Sequence, residues 1–156
     1  MHEISATVAL VRRATLDDMA TVASIHRLAF FDAMPHIPVL HTPEETLTYY
    51  SKILFQKAQI WLGERDGLIA GFIAFHPGWV EQLYIRPEHQ RRGIGSMLLE
   101  LAKKSEPELR LWTFQCNKRA CRFYERHGFR IEQQTDGSAN EERQPDFLYV
   151  WRRVTP

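Results

Sequence analysis

The stretch WVEQLYIRPEHQRRGIGSMLLELAKK, residues 79–104, decides the fold of this chain. Val80, Leu83, Tyr84 and Ile85 open it with apolar, β-prone side chains that predict a strand. The chain then turns at Pro87 and becomes basic and glycine-bearing at Gln90-Arg91-Arg92-Gly93-Ile94-Gly95. Ile94, Leu98, Leu101 and Ala102 recur at i, i+4, i+7 and i+8, one apolar stripe of helical period, and Pro107 marks its end. Strand, glycine turn and helix N-terminus together hold anions. A first helical turn has backbone N–H groups with no intrahelical acceptor, and the helix dipole adds partial positive charge. Gly93 and Gly95 admit a ligand where a Cβ would collide, and Arg91 and Arg92 carry charge suited to a phosphate. The third glycine of a dinucleotide fingerprint and the Gly-Lys-Ser/Thr ending of a P-loop are both missing.

Upstream, Gln59 to Glu64 and Leu68 to Phe75 are strand-like and joined by Arg65-Asp66-Gly67, a hairpin signal. His76-Pro77-Gly78 turns the chain into the central strand. Nearer the start, Val8 to Arg12 predicts a short strand, and Thr15 with Asp18 a capping box. Met19, Val22, Ala23, His26 and Phe30 then form a helical face. Phe31 to His41 is irregular and unusually apolar, the composition of a pocket wall or of a loop packed on the core. Thr42-Pro43-Glu44-Glu45 starts another helix, with Leu47, Tyr50 and Leu54 on its buried side.

Downstream, Leu109 to Phe114 is a further strand, and a strand–helix–strand unit implies a right-handed crossover with parallel pairing. Asn117 caps a helix from Lys118 to Arg126 that His127-Gly128 closes. Phe129 to Gln133 and Phe147 to Arg153 complete the strands, linked by a polar loop. The order is β-α-α-β-β-β-α-β-α-β-β, a mixed sheet with helices on both faces in one domain, residues 1–156.

A chain of 156 residues builds a core without disulfides or metals. A net charge of +1 gives no global field for nucleic acid or an anionic membrane, and no aromatic-basic interleaving supports a nucleic-acid partner. Cys116 and Cys121 match no zinc or redox spacing, so reduced thiols are expected. His36 and His41 have no third ligand spaced to join them, so no metal is expected. No apolar run reaches the length of a bilayer span, and Met-His-Glu-Ile-Ser lacks the regions of a signal peptide. The expectation is a cytoplasmic protein.

The Gln90–Gly95 turn resembles motif A, Gln/Arg-x-x-Gly-x-Gly/Ala, of the GCN5-related N-acetyltransferase (GNAT) superfamily. Asn117-Lys118-Arg119-Ala120-Cys121-Arg122-Phe123-Tyr124-Glu125-Arg126-His127-Gly128-Phe129 resembles its motif B, and Asn117, Ala120 and Tyr124 share one helical face. The likeness runs from Val8 to Arg153. Stretches such as His41–Glu45, Trp79–Tyr84, Asn140–Arg143 and Pro145-Asp146 look like one bacterial GNAT group.

The resemblance implies the GNAT acyl-CoA N-acyltransferase fold: a twisted, mostly antiparallel sheet whose fourth and fifth strands are parallel and splayed. It implies acetyl-CoA as co-substrate and acetyl transfer to a primary amine of a small-molecule or protein acceptor, by direct attack in a ternary complex. It assigns Gln90, Arg91, Arg92, Gly93, Ile94, Gly95 and Ser96 to the pyrophosphate, and Leu83, Tyr84 and Ile85 to pantetheine and thioester. It assigns Asn117, with Ala120 and Phe123, to the pantetheine arm, and Tyr124 to the departing thiolate. The class alternative is a catalytically silent acetyl-CoA-binding regulatory module.

For the general base the sequence offers Glu81, two residues from the thioester positions; its bland alternative is a surface carboxylate paired with an arginine. His76 reads as a turn histidine. On the acceptor side Phe31, His36, Trp79 and Glu81 are candidates, with core packing the equal alternative for Trp79. Leu148, Tyr149, Val150 and Trp151 suit a homodimer through sheet edges and an internal strand equally.

Overall fold

The structure, a computed structural model, describes residues 9–154. Val8, where the first strand was expected to begin, lies outside the described residues, as does Met-His-Glu-Ile-Ser. Seven strands, β1 (Leu10–Arg13), β2 (Gln59–Arg65), β3 (Leu68–His76), β4 (Trp79–Ile85), β5 (Glu108–Phe114), β6 (Arg130–Thr135) and β7 (Asp146–Arg152), form one sheet. Their spatial order is β1-β2-β3-β4-β5-β7-β6. Every neighbouring pair is antiparallel except β4 and β5.

Local chemistry fixes these elements. Asp66 (φ 54°) and Gly67 (φ 75°) join β2 to β3 with both turn residues left-handed, the geometry that follows the twist of a hairpin. The Thr15 N–H and hydroxyl both reach Asp18 Oδ2, at 2.8 and 3.0 Å, ahead of α1 (Met19–Ala33). Thr42 Oγ1 accepts from Glu45 N while the Glu45 carboxylate accepts from Thr42 N, a reciprocal cap on α2 (Pro43–Thr48). α1 runs three residues further than expected, so Phe31 is helical and the irregular segment begins at Met34.

After α2 the chain passes through a π-helical stretch, Tyr49–Leu54, into the short α3 (Phe55–Lys57). This wider turn corrects one expectation. The buried stripe is Thr46, Tyr50, Leu54 and Ala58, spaced by four, and Leu47 is 38% exposed. A strict 3.6-residue period puts Leu47 inside; the π turn rotates it out.

Two cores lie on opposite faces of the sheet. α4 (Ile94–Ser105) and α5 (Lys118–Arg126) cover Phe75, Val80, Leu98, Leu109 and Tyr149. α1 and the π-helical stretch cover Ile25, Tyr50, Leu62 and Phe72. β7 is internal, between β5 and β6, so the last strand is not an edge available to a second copy. The edge strand β6 is exposed along most of its length and carries Arg130, Glu132, Gln133 and Gln134, which discourages further pairing.

Candidate active site

β4 and β5 share a single register pair, Trp79 with Arg110, and then diverge. A cavity of about 460 Å³ occupies the gap. Leu83 and Tyr84 form one wall, Leu111 and Thr113 the other, and Asn117, Ala120 and Tyr124 face it from α5. The three motif B positions spaced for one helical face are thus brought together with Leu83 and Tyr84, while the Ile85 side chain packs on the core and lies outside the lining.

The pairing of β3 with β4 skips a residue: Ala74 faces Gln82 and Phe75 faces Val80, leaving Glu81 as the extra residue of a β-bulge. The bulge keeps Val80 in the core and brings Glu81 to the cavity. Glu81 Oε1 accepts from His76 Nε2 at 2.6 Å and from Lys57 Nζ at 3.1 Å. Burial by itself would raise the Glu81 carboxyl; the His76 and Lys57 hydrogen bonds outweigh it and hold the group below the usual range. Its partners are a lysine and an imidazole, where the bland reading expected an arginine.

Tyr124 is buried, edge-on to Phe123 and Phe129, and its hydroxyl has no hydrogen-bond partner among the described residues. Burial, then the neighbouring Tyr84 and Cys121, push that hydroxyl well above the usual tyrosine range, so it stays a proton donor. Asn117 Oδ1 accepts from Ala120 N at 3.2 Å, capping α5 and leaving its amide hydrogens to the cavity.

At the glycine turn, Arg91 (φ 64°) and Gly93 (φ 82°) are left-handed, and Gly93 caps α4 without a side chain over the first-turn N–H groups. Arg91 and Arg92 are exposed beside it. Gln90 takes a structural part: its Nε2 donates to Ile85 O at 3.1 Å and its Oε1 accepts from Arg119 Nη1 at 2.5 Å, tying the turn to β4 and α5. Ile94 is a core residue, so only its backbone is left for a ligand. A Cβ on Gly95 would stand 3.4 Å from the Phe123 ring, so this glycine serves the approach of α4 to α5. Ser96 Oγ lies 3.0 Å from His127 Nε2.

The expected acceptor residues divide. Phe31 lines a second groove of about 280 Å³ between α1 and the segment 37–41. Trp79 sits at the lone β4–β5 register pair and His36 is exposed; neither lines either of these two cavities. Met34, Asn140 and Glu142 from loops, and Asp146 at the start of β7, close the first cavity, and the sequence assigned none of them a role there. Asn140 braces the 136–145 loop by donating to Gln144 O at 2.6 Å and Asp146 Oδ2 at 3.3 Å, and Asp146 also accepts from Thr135 Oγ1. His26, read from sequence as one position of a helical face, lies tilted against Tyr84 with ring centroids 4.6 Å apart, its Nδ1 stands 2.5 Å from the Tyr50 hydroxyl, and burial pulls it down to about 4.

The family profile for the acetyltransferase (GNAT) domain matches residues 56–131, from α3 through both motifs into β6. Over 96 residues, 60% of this chain, it is 33% identical to the peptidyl-lysine N-acetyltransferase YiaC of Escherichia coli. The likeness to the GNAT domain thus spans just under half of the chain, with both motifs inside it.

The match covers 64% of YiaC, and about half the length of two further N-acetyltransferase relatives. The same GNAT architecture appears in a GCN5-related N-acetyltransferase from Rhodopseudomonas palustris, with TM-score 0.76 and 16% identity over 98% of this chain and 100% of that one. It appears again in the PaiA N-acetyltransferase from Thermoplasma acidophilum in complex with coenzyme A, with TM-score 0.72 and 22% identity over 94% and 99%. Among the described residues no cluster of His, Cys, Asp and Glu is arranged to hold a metal, and no helix is long and apolar enough to cross a membrane.

Proposed function

We propose that this chain is a GNAT N-acetyltransferase that moves the acetyl group of acetyl-CoA to a primary amine in a ternary complex. The observation that carries this reading is the single register pair between β4 and β5, with the Tyr124 hydroxyl unpartnered at the gap. Beyond Trp79 the facing edges of β4 and β5 make no rungs with each other, and pantetheine carries amides that pair with a strand edge as an added strand does. Leu83, Tyr84 and Ile85 receive it there. The N-terminus of α4, with Gly93 left-handed and Arg91 and Arg92 beside it, receives the pyrophosphate.

The acceptor nitrogen forms its bond to the thioester carbonyl carbon, and the C–S bond breaks. A backbone N–H of β4 holds the oxyanion, and Tyr124 donates to the departing sulfur. An alkylammonium with a solution pKa of about 10.4 must first lose a proton. We assign that proton to Glu81, which is ionised across the neutral range and fixed by His76 and Lys57. YiaC, a peptidyl-lysine N-acetyltransferase, offers a precedent for an amine acceptor among relatives.

A thermal melt with acetyl-CoA, and with NAD and ATP as controls, tests the donor site. A ligand at about a hundred times its Kd adds roughly 2.7 kcal/mol of stability. A shift with acetyl-CoA alone is expected, followed by amine-dependent thiol release. No shift, or a shift with no thiol release on any amine, overturns the enzymatic reading.

A further inference from the structure

The two cavities are not separate. Glu142 lines both, at the point where the 136–145 loop meets α1 and the segment 37–41. It is half-buried, and its carboxylate has no ion pair among the described residues. The other charged groups of the groove are engaged. Arg27 donates to His41 O at 2.8 Å and Thr46 Oγ1 at 3.1 Å, and His41 Nε2 meets Glu141 at 2.8 Å. A half-buried carboxylate with no cation, opening on a reaction cavity, is a place for one positive charge.

The rest of the groove is apolar. Phe31 and Val39 are 60% and 61% exposed, and Leu28 and Leu40 stand out beside them, a cluster that a solvated surface does not favour. The His41–Glu141 contact ties the segment 37–41, one wall of the groove, to the 136–145 loop that carries Glu142, which leaves less room for a polypeptide lying across it than for a small body.

We infer that the acceptor is a small monoamine on an apolar body: its ammonium pairs with Glu142, and its body lies in the groove of Phe31, Val39 and Leu40. This inference rests on the acetyltransferase reading and sharpens it. Glu142 acts as a binding residue that presents the nitrogen to the thioester end of the first cavity.

The experiment is kcat/KM by thiol release at saturating acetyl-CoA, for phenethylamine, ethylamine, spermidine and an acetyl-capped lysine peptide with apolar neighbours. Burying an aromatic ring is worth roughly a tenfold to hundredfold gain, so phenethylamine is expected to exceed ethylamine by at least tenfold and to lead the panel. Val39→Asp is expected to collapse the phenethylamine to ethylamine ratio toward one, and Glu142→Gln to raise the amine KM about tenfold. Equal rates for the two small amines, or a preference for spermidine or the peptide, overturns the inference. The melt separates the two failures: an acetyl-CoA shift with the wrong amine preference sinks this inference alone, and no shift sinks the donor site beneath it.

Discussion

The two sides of the β4–β5 gap are built by different means. The side proposed for the donor is backbone: a strand edge, a left-handed glycine and the open N-terminus of α4. The side proposed for the acceptor is side chains carried in from far apart in the chain: Glu81 on a bulge, His26 on α1, where it lines the second groove, and Glu142 on the β6–β7 loop. A site made of backbone constrains few residue types but constrains them tightly. A site made of side chains is free to change with the substrate while the donor is kept.

Four tests bear on that contrast. The largest effect is expected at Tyr124, where the two sides meet. Tyr124→Phe should lower kcat by about 10²- to 10³-fold, the usual loss for a proton donor, while the acetyl-CoA melt shift persists. A loss of the shift along with kcat would make Tyr124 a donor-binding residue only.

The second test is on the acceptor side, through pH. His26 in the folded protein is held at about 4, below the ordinary 6.5, so the unfolded chain takes up this proton first. The associated stability is complete above pH 6.5 and drains as pH falls from 6.5 to 4, by about 3 kcal/mol in all. Urea midpoints at pH 7 and 4.5 should fall much further for the wild type than for His26→Gln. Parallel falls would mean that depressed carboxylates such as Glu81 carry the acid sensitivity.

Third, Gly93→Val tests the donor side alone. A β-branched residue at φ 82° costs roughly 1–2 kcal/mol in folding and perturbs the turn, so both melting temperature and acetyl-CoA shift should drop. A shift of wild-type size would remove the turn from the donor site. The smallest effect belongs to Leu47→Ala, expected within about 0.5 kcal/mol, against about 2–5 for Leu54→Ala. Equal losses would contradict the π-helical rotation of that segment.

The same contrast explains what could be read from the chain before its fold was known. The inner place of β7 was left open and Gly95 packs α4 on α5, but Gly93, Asn117 and Tyr124 were legible as a turn, a cap and a helical face, which impose a type or a spacing, and so was the parallel β4–β5 pair, from the crossover rule. The bulge at Glu81 was not, because one extra residue in a strand leaves no mark on a short apolar run. Leu47 was misplaced because a 3.6-residue period was applied to a wider turn. Glu142 sits in a polar loop with no period at all, shaped by irregular pairings such as Asn140 with Gln144 and Asp146. His26 looked like one more position on a helix face because its partners, Tyr50 and Tyr84, are distant in sequence.

The lone rung between β4 and β5 leaves the sheet as a block of four strands beside a block of three, each with neighbours of its own. The seam is the least paired line in the sheet, and it is the line along which the proposed donor lies. Amides of β4 facing the seam should exchange with solvent by local opening, while those of β3 behind it wait for global unfolding. A ligand that bridges the seam joins the blocks, so catalysis and durability share one contact. In a cell, the lifetime of this protein against proteases would then rise and fall with the supply of its donor.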